Sequence, residues 1–378
     1  MNISFLLGAG FSRAAGLSLR DDVNKKIKTI NEQNYFVSID NMLYKKRNNN
    51  KNMSDYWPLM CNVIHDYVKK CDNLKLKFDY ESFYDYLVWC IKIDEQIIGK
   101  YDLLRSSEID NTLFQLSDLY MQLVTWVVLP DNANTYYDYN TSKYEYFKKW
   151  IIALQNNKNK IFVNTLNHDL LIESIFYEQN INDGFVLSKT FFQVEIEEGK
   201  KSFVPFYDKA VYKKKRSSKN INLIKLHGSF DYYKDSKEHK LLKCPRGAAI
   251  HWIEKRNSQS VIENYAPQFL VGNRIKLDEY ETPYYKDRHD IFKKILSESK
   301  ALFVIGYGFG DDGINNDINE HFNGNLLYVI DPTANEKSCA IKNKCSFLRD
   351  RVKFLNKSIE DLTYNDFMQI NQDFYSSI

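Results

Sequence analysis

Two short polar segments, each directly behind an apolar run, hold the residues best suited to chemistry. Thr165-Leu166-Asn167-His168-Asp169 follows the run from Ile161 to Val163, and His227-Gly228-Ser229 follows the run from Leu223 to Leu226. An amide such as Asn167 orients water without ionising, and a neutral imidazole such as His227 accepts a proton near pH 7. Gly228 leaves room for a ligand beside that ring. Each residue also has a bland alternative. Asp169 suits a plain helix cap, and one histidine among seven is commonly structural.

Glycine placement adds two more loops. Half of the 14 glycines fall in two clusters, Gly8, Gly10 and Gly16 near the start and Gly306, Gly308, Gly310 and Gly313 near the end. Glycine serves where backbone takes positive φ or approaches a ligand closely, so the clusters suggest two loops lining one site, the alternative being ordinary turns. Gly8-Ala9-Gly10-Phe11-Ser12 runs from an apolar segment toward a helix, whose amides and dipole suit a pyrophosphate. In Gly306-Tyr307-Gly308-Phe309-Gly310-Asp311-Asp312 the glycines suit close approach to a nucleotide and the carboxylates suit helix capping. Asp331, behind the run from Leu326 to Ile330, is placed to accept hydrogen bonds from a ribose or, ahead of Pro332, to make a simple turn.

These loops need elements to position them. Their five apolar runs read as buried parallel strands, several followed by helical spacing, as in Leu170, Leu171, Ser174 and Ile175. That alternation predicts an α/β fold, a Rossmann-like doubly wound parallel sheet, in which ligands bind beyond the carboxyl ends of the strands. Residues 35–155 break the pattern. Tyr80, Phe83, Tyr84, Leu87, Val88 and Ile91 form one helical apolar face, and Ile109, Leu113, Leu116, Tyr120, Leu123 and Val127 another, closed by Pro130. The expected organisation is a sheet domain of residues 1–34 and 156–378 carrying a helical insertion, 35–155, that covers the site or mediates assembly.

Composition narrows the class. The 52 Lys and Arg nearly balance 49 Asp and Glu, so a net charge of +3 gives no reason to expect nucleic acid or an acidic membrane as a direct partner. The basic runs Lys45-Lys46-Arg47 and Lys213-Lys214-Lys215-Arg216 read as solvated loops. With 44% hydrophobic and 15% aromatic residues the chain can fold, and it has no apolar run long enough to span a bilayer. The start carries no basic leader. The six cysteines form no CxxC pair, so they are expected to be reduced thiols of a cytoplasmic protein, with no metal site.

Taken in order, GAGFS with Gly16, TLNHD with Glu173, KLHGS, and VIGYGFGDD closing on VIDP resemble the sirtuin-like NAD-binding domain. The resemblance covers residues 1–30 and roughly 160–335. It departs from the protein-deacylating sirtuins at Leu17-Ser18-Leu19-Arg20-Asp21, where those carry a PDFR segment, and in lacking two CxxC pairs. With its long helical insertion the chain is more similar to bacterial sirtuin-like proteins of antiphage defence, although His168 stands where those often have tyrosine.

The resemblance implies an NAD⁺ glycohydrolase that releases nicotinamide and ADP-ribose, an abortive-infection effector held at low basal activity. Asn167 would orient water and His227 accept a proton. The substrate would be bound by Gly8, Ala9, Gly10, Phe11, Ser12, Thr165, Gly306, Tyr307, Gly308 and Asp331, with Asp169 on the carboxamide. Homo-oligomers and a separate HerA-type ATPase are the implied partners, nucleic acid entering only indirectly. A protein deacylase or ADP-ribosyltransferase, and a catalytically silent nucleotide-sensing scaffold, are the competing readings.

Overall fold

A computed structural model describes residues 1–38, 42–46, 54–90, 106–133, 139–187, 193–197, 200–215, 220–235, 240–244, 266–272, 276, 279–336, 338 and 351–377. Arg47, Ile91, Arg216, Cys339 and Cys345 lie outside the described residues. The main sheet has seven strands: β1 Asn2–Leu7, β2 Lys160–Thr165, β3 Ile181–Asn182, β4 Ile221–Lys225, β5 Ser299–Ile305, β6 Leu326–Ile330 and β7 Val352–Leu355. All neighbours pair in parallel, in the order β7-β6-β5-β1-β2-β4-β3. This is the doubly wound, Rossmann-like α/β architecture expected from the apolar runs.

The described helices are α1 Ala9–Ser12, α2 Arg20–Lys28, α3 Tyr56–Asn73, α4 Tyr80–Asp85, α5 Ser106–Val128, α6 Glu145–Asn156, α7 Leu171–Ile175, α8 Lys209–Lys215, α9 Pro283–Glu298, α10 Asp312–His321 and α11 Tyr364–Ser376. None is long and apolar enough to cross a membrane.

Why the strands read as unbroken apolar runs is visible in their two faces. Ile3, Phe5 and Leu7 of β1, with Ala301, Phe303 and Ile305 of β5, pack in one core with Phe147 and Trp150 of α6 and Phe374 of α11. The alternate residues, Leu6, Leu302, Val304, Leu327 and Val329, point the other way, into a core with Phe292 and Ile295 of α9 and Ile314 of α10. Both faces are covered, so no position is spared for a polar residue unless it is paired. Asn164, fully buried, meets that condition: its Nδ2 donates to Ser4 Oγ at 2.8 Å and to the Phe5 carbonyl at 2.9 Å. Each fully buried Leu or Phe contributes roughly 1.5–3 kcal/mol.

The segment read as helical holds α3, α4 and α5, which share a core built on Trp57, Met60, Ile64, Phe83, Leu87, Leu116, Tyr120 and Leu123. α2 buries Val23 and Ile27 in the same core, although it precedes that segment. α4 passes directly into a π-helical turn, Tyr86–Cys90, and α5 stops at Val128, two residues before Pro130. The same segment contains an antiparallel hairpin, Tyr35–Val37 with Leu43–Lys45, which helical spacing did not foretell. α6, near its end, lies on the sheet through Phe147, Trp150 and Ile151.

The strand order fixes where a ligand can enter. From β1 the chain builds outward through β2, then returns to lay β5 on the opposite side of β1. Loops leaving β1 and β5 therefore diverge at a topological switch, the position at which parallel α/β sheets open a crevice.

Candidate active site

Register brings the loops level. Leu7 at the end of β1 pairs with Ile305 of β5 and Thr165 of β2, so the next residues of all three strands emerge at one edge. Together with the loop after β4 they enclose a cavity of about 590 Å³, a size suited to a small-molecule ligand. Gly8, Ala9, Ser12, Asn167, His168, Asp169, His227, Gly306, Tyr307, Gly308, Gly310 and Asp311 line it from the sheet side. Arg20, Val23, Tyr80, Glu81 and Val128 line it from α2, α4 and α5, and Lys276 and Tyr280 from the segment before α9.

The two glycine clusters meet, and they constrain one another. The Gly8 amide donates to the Ile305 carbonyl at 3.0 Å and the Gly10 amide to the Gly306 carbonyl at 2.9 Å. Gly306 has φ of +63°, and a Cβ there would lie 2.2 Å from the Phe11 nitrogen. These glycines allow two loops to interlock, and the Gly8 and Gly10 amides are committed to that contact rather than to a phosphate. Gly308 and Gly310 differ, because a Cβ on either would meet nothing within 4 Å. α1 is a single turn followed by a 3-10 turn ending at Gly16, so the dipole behind the first loop is short.

Asn167 is held rigidly. Its Nδ2 donates to the Gly8 carbonyl at 2.9 Å and to Ser12 Oγ at 2.8 Å, and its backbone amide donates to Thr165 Oγ1 at 3.0 Å. Ser12 Oγ passes a hydrogen bond to Asp169 Oδ2 at 2.8 Å, while Asp169 Oδ1 accepts from the Leu171 amide at 3.0 Å. With both amide hydrogens engaged, Oδ1 of Asn167 is the acceptor that a water or hydroxyl can use. Burial raises the pKa of Asp169, opposed by Lys225 and the Ser12 hydrogen bond.

His227 belongs to a second chain of hydrogen bonds. Its Nε2 lies 2.9 Å from Tyr280 Oη and 3.4 Å from Asp311 Oδ2, and Tyr280 Oη donates to Asp311 Oδ2 at 2.9 Å. Because the tyrosine has one hydrogen and gives it to the carboxylate, the arrangement assigns the proton on neutral His227 to Nε2, leaving Nδ1 as acceptor. Burial pushes the pKa of His227 below its usual value, so the ring is neutral at pH 7. Asp311 works against its own burial but is held well below the carboxylate range by His227, the Ile314 amide that it caps, and Tyr280. His168, its ring tilted against Phe269 at 4.6 Å and lying 6.2 Å from His227, is depressed further by burial and is also neutral.

Lys225 fastens the two chains. Its buried Nζ donates to the Asp169 carbonyl and, at 2.9 Å, to Ser229 Oγ, and it pairs with Glu173 at 3.2 Å. The loop carrying Asn167 is thus tied to the loop carrying His227.

Four residues expected to bind the substrate have other surroundings. Phe11 is buried against Tyr144 and Phe147, with ring centroids 5.1 Å from each, on the far side of its loop from the cavity. Gly10 packs on Gly306. Thr165 is buried beneath Asn167 and supports its backbone. Asp331 accepts from the Thr333 amide at 2.8 Å and its hydroxyl at 2.7 Å, the turn arrangement, outside the cavity lining. Spacing gave no sign of Glu81, Lys276 or Tyr280, which join the cavity through tertiary packing. Asp311 was legible as a helix cap, not as a partner of His227.

No protein-family model and no curated protein matches the chain. Among solved structures it is similar to a Sir2 homolog in complex with NAD, at 10% identity and a TM-score of 0.41, over 99% of this chain and 90% of that one. A serine-to-alanine mutant of a Sir2 homologue with ADP-ribose gives 9% and 0.41, over 100% and 94% of the two chains. A histidine-to-asparagine mutant with ADP-ribose gives 10% and 0.39, over 100% and 94%.

Proposed function

We propose that this chain is an NAD⁺-using enzyme that hydrolyses the bond between nicotinamide and ribose. The observation that carries the reading is the convergence of Asn167 and His227, each fixed by its own hydrogen-bond chain, on one cavity at the switch point of the sheet. The ordered motifs GAGFS, TLNHD, KLHGS and VIGYGFGDD support it.

The reaction needs little acid chemistry. Departure of nicotinamide with the electrons of the glycosidic bond neutralises its ring, so no side chain must protonate it. What remains is to present a water to the anomeric carbon and take its proton. Asn167 Oδ1 accepts a hydrogen bond from that water, and His227 Nδ1 takes the proton as the new carbon–oxygen bond forms. Water and NAD⁺ give nicotinamide, ADP-ribose and one proton. Asp311, through Tyr280, stabilises the imidazolium produced.

Incubation of the purified chain with NAD⁺, followed by mass spectrometry, tests this directly. Free ADP-ribose with equal nicotinamide supports hydrolysis. Acyl-ADP-ribose formed from acylated peptides, or ADP-ribose attached to protein, would replace it with a transferase reading, and binding without turnover with a sensing scaffold.

The same reading extends to biology. A cell cannot tolerate unchecked loss of NAD⁺, so the enzyme is proposed to act in antiphage defence, its activity low until homo-oligomerisation or a HerA-type ATPase partner releases it. Co-purification with that ATPase, and a rise in turnover on mixing, are the expected results. High turnover by the isolated chain in healthy cells would contradict this control.

A further inference from the structure

A pyrophosphate entering this cavity finds the Gly8 and Gly10 amides already engaged, and the cavity's cations are engaged as well. Among the described residues lining it, only Arg20 and Lys276 carry a full positive charge, since His168 and His227 are neutral. Both are already paired with the first turn of α4. Arg20 Nη1 lies 3.0 Å from Glu81 Oε2, and its Nε lies 2.8 Å from Asp79 Oδ2. Lys276 Nζ pairs with Glu81 Oε1. Glu81 itself is buried and faces the cavity.

One carboxylate therefore spans two cations inside a binding cavity, in the manner of a bound anion. We infer that Arg20 and Lys276 form a phosphate subsite and that Glu81 of α4 is its internal competitor, which an incoming pyrophosphate must displace. The geometry supports displacement over coexistence. Glu81 and a phosphate would compete for the same N–H donors, and exchanging one for the other keeps both cations paired. Asp79 is the natural anchor during the exchange, since it caps α4 through the Ser82 amide and continues to hold Arg20. The cost of releasing Glu81 would be taken from ligand affinity, so the resting protein binds dinucleotide weakly. The inference rests on the proposed substrate only in the identity of the ligand, not in its anionic class.

The test is titration calorimetry with ADP-ribose and with inorganic pyrophosphate on the parent chain, Glu81→Gln and Lys276→Met. Glu81→Gln should bind both anions about tenfold more tightly, and Lys276→Met about tenfold more weakly. KM for NAD⁺ should fall in Glu81→Gln and rise in Lys276→Met. Should Glu81→Gln fail to fold, Lys276→Met decides, because unchanged affinity in it overturns the subsite. Unchanged or weaker binding by folded Glu81→Gln overturns the competitor. If NAD⁺ is hydrolysed yet neither substitution moves affinity, this inference alone fails. Should the substitutions move pyrophosphate affinity while NAD⁺ is never cleaved, the subsite stands and the hydrolase reading fails.

Discussion

Asn167 and His227 were legible because each closes an apolar run, and a polar residue at a strand end has few places to point except over the sheet edge. Tyr280 was not, because its pairing with His227 and Asp311 spans 53 and 31 residues and follows no period. The pair makes a pH prediction. Burial places the pKa of His227 below 6.5, so kcat/KM should hold steady at neutral pH and fall only as pH drops beneath that value. Asp311 favours the protonated ring, so Asp311→Asn should move this acid limb to still lower pH while reducing kcat, a shift that simple misfolding does not produce. Stability has the same sign. His168 and His227 bind protons more readily in the unfolded chain than when buried, so the fold should lose stability as pH falls through the unfolded value near 6.5. Urea unfolding at a series of pH values measures it.

At the scale of elements, the strands were readable from composition because helices cover both faces of the sheet, whereas short loops hid their detail. The glycine-rich turns looked alike in sequence, yet Gly306 serves loop packing and Gly308 faces open space. Gly306→Ala should therefore cost about 3 kcal/mol or more, seen as a large fall in melting temperature, from strain at positive φ and the clash with Phe11. Gly308→Ala should melt like the parent while weakening nucleotide binding. Lys225 provides the coupling between the β2 and β4 loops. Lys225→Met strands the buried Glu173 carboxylate, so it should destabilise by roughly 3–5 kcal/mol, with much of the loss recovered by adding Glu173→Leu. Equal stability of the single variant and the parent would show that Lys243, 3.6 Å from Glu173, suffices alone. The antiparallel pair Tyr35–Val37 and Leu43–Lys45 escaped notice because its three-residue strands are too short to display alternation.

Across the whole molecule, the sheet offers the edge that carries Asn167 and His227, and the helices α2, α4 and α5 close over it. The sequence shows that apolar periodicity changes in the helical segment, but not which residues there reach the cavity, because Glu81 and Tyr80 look like any first-turn pair. The central claim is that Asn167 and His227 act on one bound NAD⁺. Its most direct measurement is the rate of nicotinamide release from NAD⁺ by the parent, Asn167→Ala and His227→Ala, each shown by circular dichroism to be folded. The account predicts a fall of about a hundredfold or more in kcat for each variant, the scale of positioning and general-base effects. Folded variants that release nicotinamide as fast as the parent would contradict it.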